Sequence, residues 1–159
     1  MKRILVAIDM SDMSYEALKR GILLAKEKEA QLIVMHVIDQ SFIDSVIGQL
    51  IDKTKLKQKL IDKIDKLNTE INIDYLLFLE FGSVISSINL KVKEINADLL
   101  VIGTHGQDNI ISNYFGSTAL KLIQSTHIPI LIVKNNVNNS YKKMLSPTNL
   151  SDYSKESIL

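Results

Sequence analysis

The stretch with the most chemical potential is Gly103-Thr104-His105-Gly106-Gln107-Asp108-Asn109-Ile110-Ile111-Ser112-Asn113-Tyr114-Phe115-Gly116-Ser117-Thr118. Glycines at 103 and 106 permit positive φ and let a ligand come close to the backbone. At its far end, Gly116, Ser117 and Thr118 would offer an anion the unpaired N–H groups of a helix start together with two hydroxyls. The chemistry implied is phosphate binding. It is not that of a Walker loop, because no Gly-Lys-Ser/Thr occurs, nor of a dinucleotide turn, because no glycine stands between Asp9 and Ser14. The loop from Gln107 to Phe115 contains no Lys or Arg, so attraction for phosphate must come from the backbone.

The remaining reactive residues add little to this. Asp9 follows a short apolar run, and Asp with a nearby Ser commonly caps a turn; at the end of a first strand it is also placed to meet a ligand. His36, His105 and His127 show no metal-ligand spacing. His36 reads as a strand residue and His127 as a loop residue, while His105, inside the cradle, reads equally as a ligand contact or a structural residue. Ser117 would be a helix N-cap whether or not it also binds an anion. No Ser, His and Asp are arranged as a triad and no carboxylate pair stands out, so nothing calls for turnover beyond slow hydrolysis. Cysteine is absent, which removes thiolate and Cys-ligated metal chemistry. Nineteen Lys and Arg against eighteen Asp and Glu give a net charge of +1, so nothing draws the chain onto nucleic acid or anionic lipid.

The elements that must position this segment follow from hydrophobic period. Five short runs rich in Ile, Val and Leu read as strands: Ile4 to Asp9, Gln31 to Ile38, Ile73 to Phe81, Asp98 to Gly103 and Pro129 to Lys134. Their near-continuous apolar character suits strands covered on both faces. Between them lie helical patterns over Ser14 to Glu29, over Ile51 to Thr69, behind Ser83 with Ile85, Ile88, Val92 and Ile95 in step, and from Gly116 or Ser117 to Gln124. Strands alternating with helices predict an α/β domain with a doubly wound parallel sheet. In the second helix, Lys53, Lys57, Lys63 and Lys66 are interleaved with Asp52, Asp62 and Asp65, the pattern of a solvated face rather than a phosphate strip. No apolar run approaches the roughly 20 residues of a membrane-spanning helix, and Met1 to Asp9 lacks the pattern of a leader. These features predict a soluble domain.

Gly103-x2-Gly106-x9-Gly116-Ser117, behind a first strand Ile4-Leu5-Val6-Ala7-Ile8-Asp9 and a second ending His36-Val37-Ile38-Asp39, resembles the ATP-binding subgroup of the universal stress protein family. The resemblance spans residues 2 to 134. It implies strand order 3-2-1-4-5, a cytoplasmic protein of the stress response, and a site for ATP, with Mg2+, where the strand order reverses. Carried over, Asp9 and Ala7 face the adenosine and the backbone of Val37 meets the adenine edge. Gly103 and Gly106 line the ribose and phosphates, and Gly116, Ser117 and Thr118 hold the phosphates. ATP-binding members usually carry a basic residue after the second glycine, where this chain has Gln107 and Asp108. A stress domain that binds no nucleotide and serves as a dimerisation module is the alternative. The last strand, 128 to 133, would be an apolar edge, and the family commonly pairs that strand across a two-fold axis, which implies a homodimer.

After residue 134 the character changes. Residues 135 to 140 form an Asn-rich linker by composition. Residues 141 to 159 then resemble the chain's own beginning without gaps: Lys2 meets Lys142, Leu5 meets Leu145, Ser11 meets Ser151, Asp12 meets Asp152, Ser14 meets Ser154 and Glu16 meets Glu156. The expectation is a domain over 1 to 134 followed by the start of a second homologous one.

Overall fold

A computed structural model describes residues 1–39, 52–104, 116–134, 141–143 and 145. In chain order the elements are β1 (Arg3–Ile8), α1 (Asp12–Lys28), β2 (Gln31–Asp39), α2 (Lys53–Asn68), β3 (Tyr75–Gly82), α3 (Val84–Glu94), β4 (Leu99–Gly103), α4 (Ser117–Ser125) and β5 (Ile130–Val133). The five strands form one sheet in the order β3-β2-β1-β4-β5, with every pairing parallel. The expected α/β fold and its strand order are therefore observed.

Alternation along the strands builds two cores. Ile4, Val6 and Ile8 of β1 point to the face covered by Leu18 and Ile22 of α1 and by Leu60 and Ile64 of α2. Leu5 and Ala7 point to the other face, where Ile88 and Val92 of α3 and Ala119 and Leu122 of α4 pack. The central strands are buried along most of their length, whereas Leu76 on the edge strand β3 is 46% exposed. The lysines of α2 are solvent-exposed, with Leu60 and Ile64 turned inward.

Two boundaries differ from the expectation for local physical reasons. Helix α1 begins at Asp12, because Ser11 is extended at the N-cap and accepts a hydrogen bond from the Ser14 amide; Ser14 is an interior, buried residue rather than the start. Strand β3 begins at Tyr75. Ile73 is held by the Asn68 side chain, which donates to its carbonyl at 2.7 Å and accepts from its N–H at 3.2 Å, so its backbone bonds are taken by a helix end. Ser83 stands at the N-cap of α3 as read, but without a side-chain cap bond.

Helix and sheet meet most closely at Gly21. A Cβ there would lie 2.3 Å from a methyl of the fully buried Val6. The linker at 135–140 and nearly all of the internal repeat fall outside the described residues; Tyr141, Lys142, Lys143 and Leu145 are described and exposed.

Candidate functional site

The carboxyl ends of β1 and β4 are neighbours, yet the chain leaves β1 towards β2 and leaves β4 towards β5. This is the reversal of strand order at which open parallel sheets form a crevice. On the face shared by α3 and α4 that end of the sheet is incompletely covered. Leu5 and Met35 are buried there, but two residues further on Ala7 and Val37 are partly open. The β1–β2 ladder ends at the pair Ile8 and His36, while β2 continues through Val37, Ile38 and Asp39 paired to β3. Ala7, with the smallest side chain that still directs a Cβ, leaves room above the sheet.

Helix α4 enters this region from the same face. Its N-cap is Gly116, extended at φ −59° and ψ 155°, with no side-chain cap. Gly116 is buried, whereas Ser117 and Thr118 are exposed at the first helical positions. Ser117 is thus not the N-cap expected from the sequence, and its hydroxyl is not spent on that role. The start of α4 is fixed by Thr104, which is 2% exposed. The Thr104 N–H donates to the Val133 carbonyl at 3.1 Å, and its carbonyl accepts from the Gly116 N–H at 2.8 Å. One residue thereby ties β4, β5 and α4 together. Sequence reading passed over Thr104 because its role is carried by backbone atoms.

Asp9 lies just past β1, where its carboxylate accepts from the Ser11 N–H at 3.0 Å and from the Ser11 hydroxyl at 2.6 Å. Ser11 Oγ accepts in turn from the Ser14 N–H at 3.2 Å. The turn-capping reading of Asp9 therefore holds, and it fixes a carboxylate at the positive end of α1, where the helix dipole favours it. Between Asp9 and Ser11, Met10 adopts φ +69°, a left-handed conformation that costs an L-residue roughly 1–2 kcal/mol. Lacking glycine, asparagine or aspartate at that position, the sequence carried no sign of it. Tyr15 borders the same turn, and burial followed by the charges of Asp9 and Asp12 pushes its phenol pKa above 10.0. Lys63 lies 4.6 Å from the Tyr15 ring centre.

Gly103 is required for another reason than the one read from sequence. Among the described glycines only Gly82 has positive φ. Gly103 faces α1, and a Cβ on it would approach Met13 C at 2.8 Å, Met13 O at 2.9 Å and Ser14 N at 3.0 Å. Its lack of a side chain lets the first turn of α1 sit against the end of β4, next to the Asp9–Ser11 turn. His36 is a strand residue as expected: it is buried, and its Nδ1–H donates to the Ile8 carbonyl at 2.8 Å. His105 and Gly106 lie outside the described residues. Of the candidate residues, Ala7, Val37, Gly116, Ser117 and Thr118 thus share one side of the sheet's carboxyl edge, with Asp9 and Gly103 joined to α1 beside them.

The described charges at the carboxyl ends of the strands and the first turn of α1 include the carboxylates Asp9, Asp12 and Asp39 and, one residue past β5, the cation Lys134. Among the described residues no three His, Cys, Asp or Glu side chains converge on a metal position. Among them too, no helix is long and apolar enough to cross a membrane.

The all-parallel sheet in the order β3-β2-β1-β4-β5, covered by helices on both faces, defines a doubly wound α/β domain. Residues 1–134 match the universal stress protein family, and the chain belongs to that family. It is 30% identical to universal stress protein MJ0531 of Methanocaldococcus jannaschii, over 84% of this chain and 82% of that one. The solved structure of hypothetical protein MJ0577 is 26% identical and covers 86% of this chain and 98% of its own, with a TM-score of 0.70. Two further solved structures share the fold. One is a universal stress protein in complex with cAMP, 22% identical over 84% of this chain and 96% of that one, with a TM-score of 0.65. The other is the universal stress protein from Archaeoglobus fulgidus in complex with dAMP, 20% identical over 84% of this chain and 98% of that one, with a TM-score of 0.63.

Proposed function

We propose that this chain binds ATP, together with Mg2+, at the carboxyl edge of β1 and β4 and acts as a cytoplasmic nucleotide-dependent sensor or adaptor in the stress response, with at most slow hydrolysis. The observation that carries the reading is the start of α4: Ser117 and Thr118 stand exposed behind an N-cap without a side-chain bond, on the sheet face where Ala7 and Val37 are only partly buried. Adenine and ribose would lie over Ala7 and along the backbone of Val37, with Asp9 towards the ribose. The phosphates would meet the N–H groups and hydroxyls of residues 116 to 118, with His105 and Gly106 of the adjoining loop. Family members in complex with cAMP and dAMP support an adenine nucleotide as the ligand class. Nucleic acid and membrane are not proposed as partners.

The test is calorimetry with ATP and Mg2+, alongside the absorbance ratio of the purified protein. The chain has no Trp and five Tyr, so even partial nucleotide carry-over tilts its spectrum towards 260 nm. Saturable binding that Gly116→Val abolishes supports the reading; absence of heat at millimolar ATP refutes it. The absence of Lys and Arg from residues 107–115 favours a second reading, a stress domain that works through association alone. Both readings share a homodimer through β5, supported by the half-buried Ile130, Leu131 and Ile132 on a strand paired with β4 at the sheet's edge. Light scattering that reports a monomer at high concentration would remove it. We further assign residues 141 to 159 as the start of a second homologous domain, on the strength of the gapless internal correspondence.

A further inference from the structure

We infer that Arg20 is a docking point on α1 for the chain that follows the sheet, and that the ring of Tyr141 is what occupies it. Arg20 lies in the middle of α1, one turn on from the core residue Ala17, and is only 5% exposed. Its Nε is buried without a hydrogen-bond partner. A buried guanidinium normally faces a carboxylate, since removing such a charge from water is costly unless it is paired. Among the described residues Arg20 makes no ion pair; its charge is met by the face of Tyr141, whose ring centre lies 3.9 Å from Cζ. A planar guanidinium stacks well on an aromatic face, and that attraction grows as water is excluded.

The contact points to an occupant from this same chain. Tyr141 is 59% exposed and Leu145 is 90% exposed, and Lys142 and Lys143 carry the same charge as Arg20. Among the described residues of this segment, neither charge pairing nor apolar burial ties it to α1, and the contact that does is the ring. Arg20 is thereby a positioning residue that sets where Tyr141 lies, against α1.

Tryptic cleavage after Lys142 and Lys143 and the NMR signal of the Arg20 Nε–H test this on the full chain. Tyr141→Ala is expected to speed cleavage by roughly twofold to fivefold, the equivalent of one exposed cation–π contact, and to remove the ring-current displacement of the Arg20 signal. Tyr141→Phe keeps the ring and is expected to match the parent in both. Arg20→Met is expected to match Tyr141→Ala in cleavage, with the double variant no faster than either. Unchanged cleavage and an unmoved Arg20 signal in Tyr141→Ala would overturn the inference, as would independent, additive effects of the two single variants. Should Arg20→Met fail to fold, the contrast between Tyr141→Ala and Tyr141→Phe decides alone.

Discussion

Gly103→Ala is expected to destabilise the protein in the absence of any nucleotide. The added Cβ would press on Met13 C, Met13 O and Ser14 N at 2.8 to 3.0 Å. All three are backbone atoms in the first turn of α1, so no rotamer change relieves the overlap and the helix must move away from β4. Overpacking a close contact costs about 1–3 kcal/mol, and backbone on both sides places this substitution in the upper half of that range. For a chain of this size each kcal/mol lowers Tm by about 2–4 °C, so the melting point should fall by about 5–10 °C. Differential scanning fluorimetry on nucleotide-free protein reads this directly, with urea titration as a check on the free energy. The displaced turn carries Ser11 and its bonds to Asp9, so ligand affinity should fall as well. A nucleotide-free variant melting within about 1 °C of the parent while binding is lost would refute the reasoning, and would return Gly103 to the role of a ligand-facing glycine.

Further predictions rest on separate contacts. Ser11→Ala removes the N-cap of α1 and the hydroxyl donor to Asp9 while keeping the backbone N–H donor; it should lower stability by about 1 kcal/mol in urea unfolding, and weaken ATP binding if Asp9 faces the ribose. Gly21→Ala drives a methyl into the short, fully buried side chain of Val6, so despite a gain in helix propensity of about 1 kcal/mol it should lower Tm. The Asp98 carboxylate accepts from the N–H groups of Lys2 and Arg3 at 2.6 and 2.8 Å, and these bonds hold its pKa below 3.8. The folded state thus favours the ionised form, so this contribution is present above the unfolded pKa and lost as pH falls through the folded one. Asp98→Ala should therefore have a lower urea midpoint than the parent at pH 7, and the gap should narrow in acid below the ordinary carboxylate range.

Much of this architecture was legible because burial on both faces writes itself into composition. The runs at Ile4 to Ile8, Gln31 to Ile38 and Leu99 to Gly103 could be little else than interior strands, and the stripe Ala17, Leu18, Gly21, Ile22 and Ala25 fixed the buried face of α1. Gly116, Ser117 and Thr118 were legible as a helix start because small and hydroxyl residues are favoured at helix N-termini. Features set by contacts distant in sequence were not legible. Nothing local foretells that Asn68 clips Ile73 out of β3, or that the first turn of α1 leans on Gly103. The left-handed Met10 has no compositional mark, and the stack of Arg20 on Tyr141 joins residues on opposite sides of the whole sheet sequence.

The most direct test of the central claim is a residue-resolved titration of amide NMR signals with ATP and Mg2+. The account predicts saturable shifts confined to the carboxyl edge, at Ala7, Asp9, Val37 and Gly116 to Thr118, with Ala25, Gln31 and Asp74 at the opposite edge unmoved. No saturable shift at millimolar ATP, or shifts centred on that opposite edge, would contradict it.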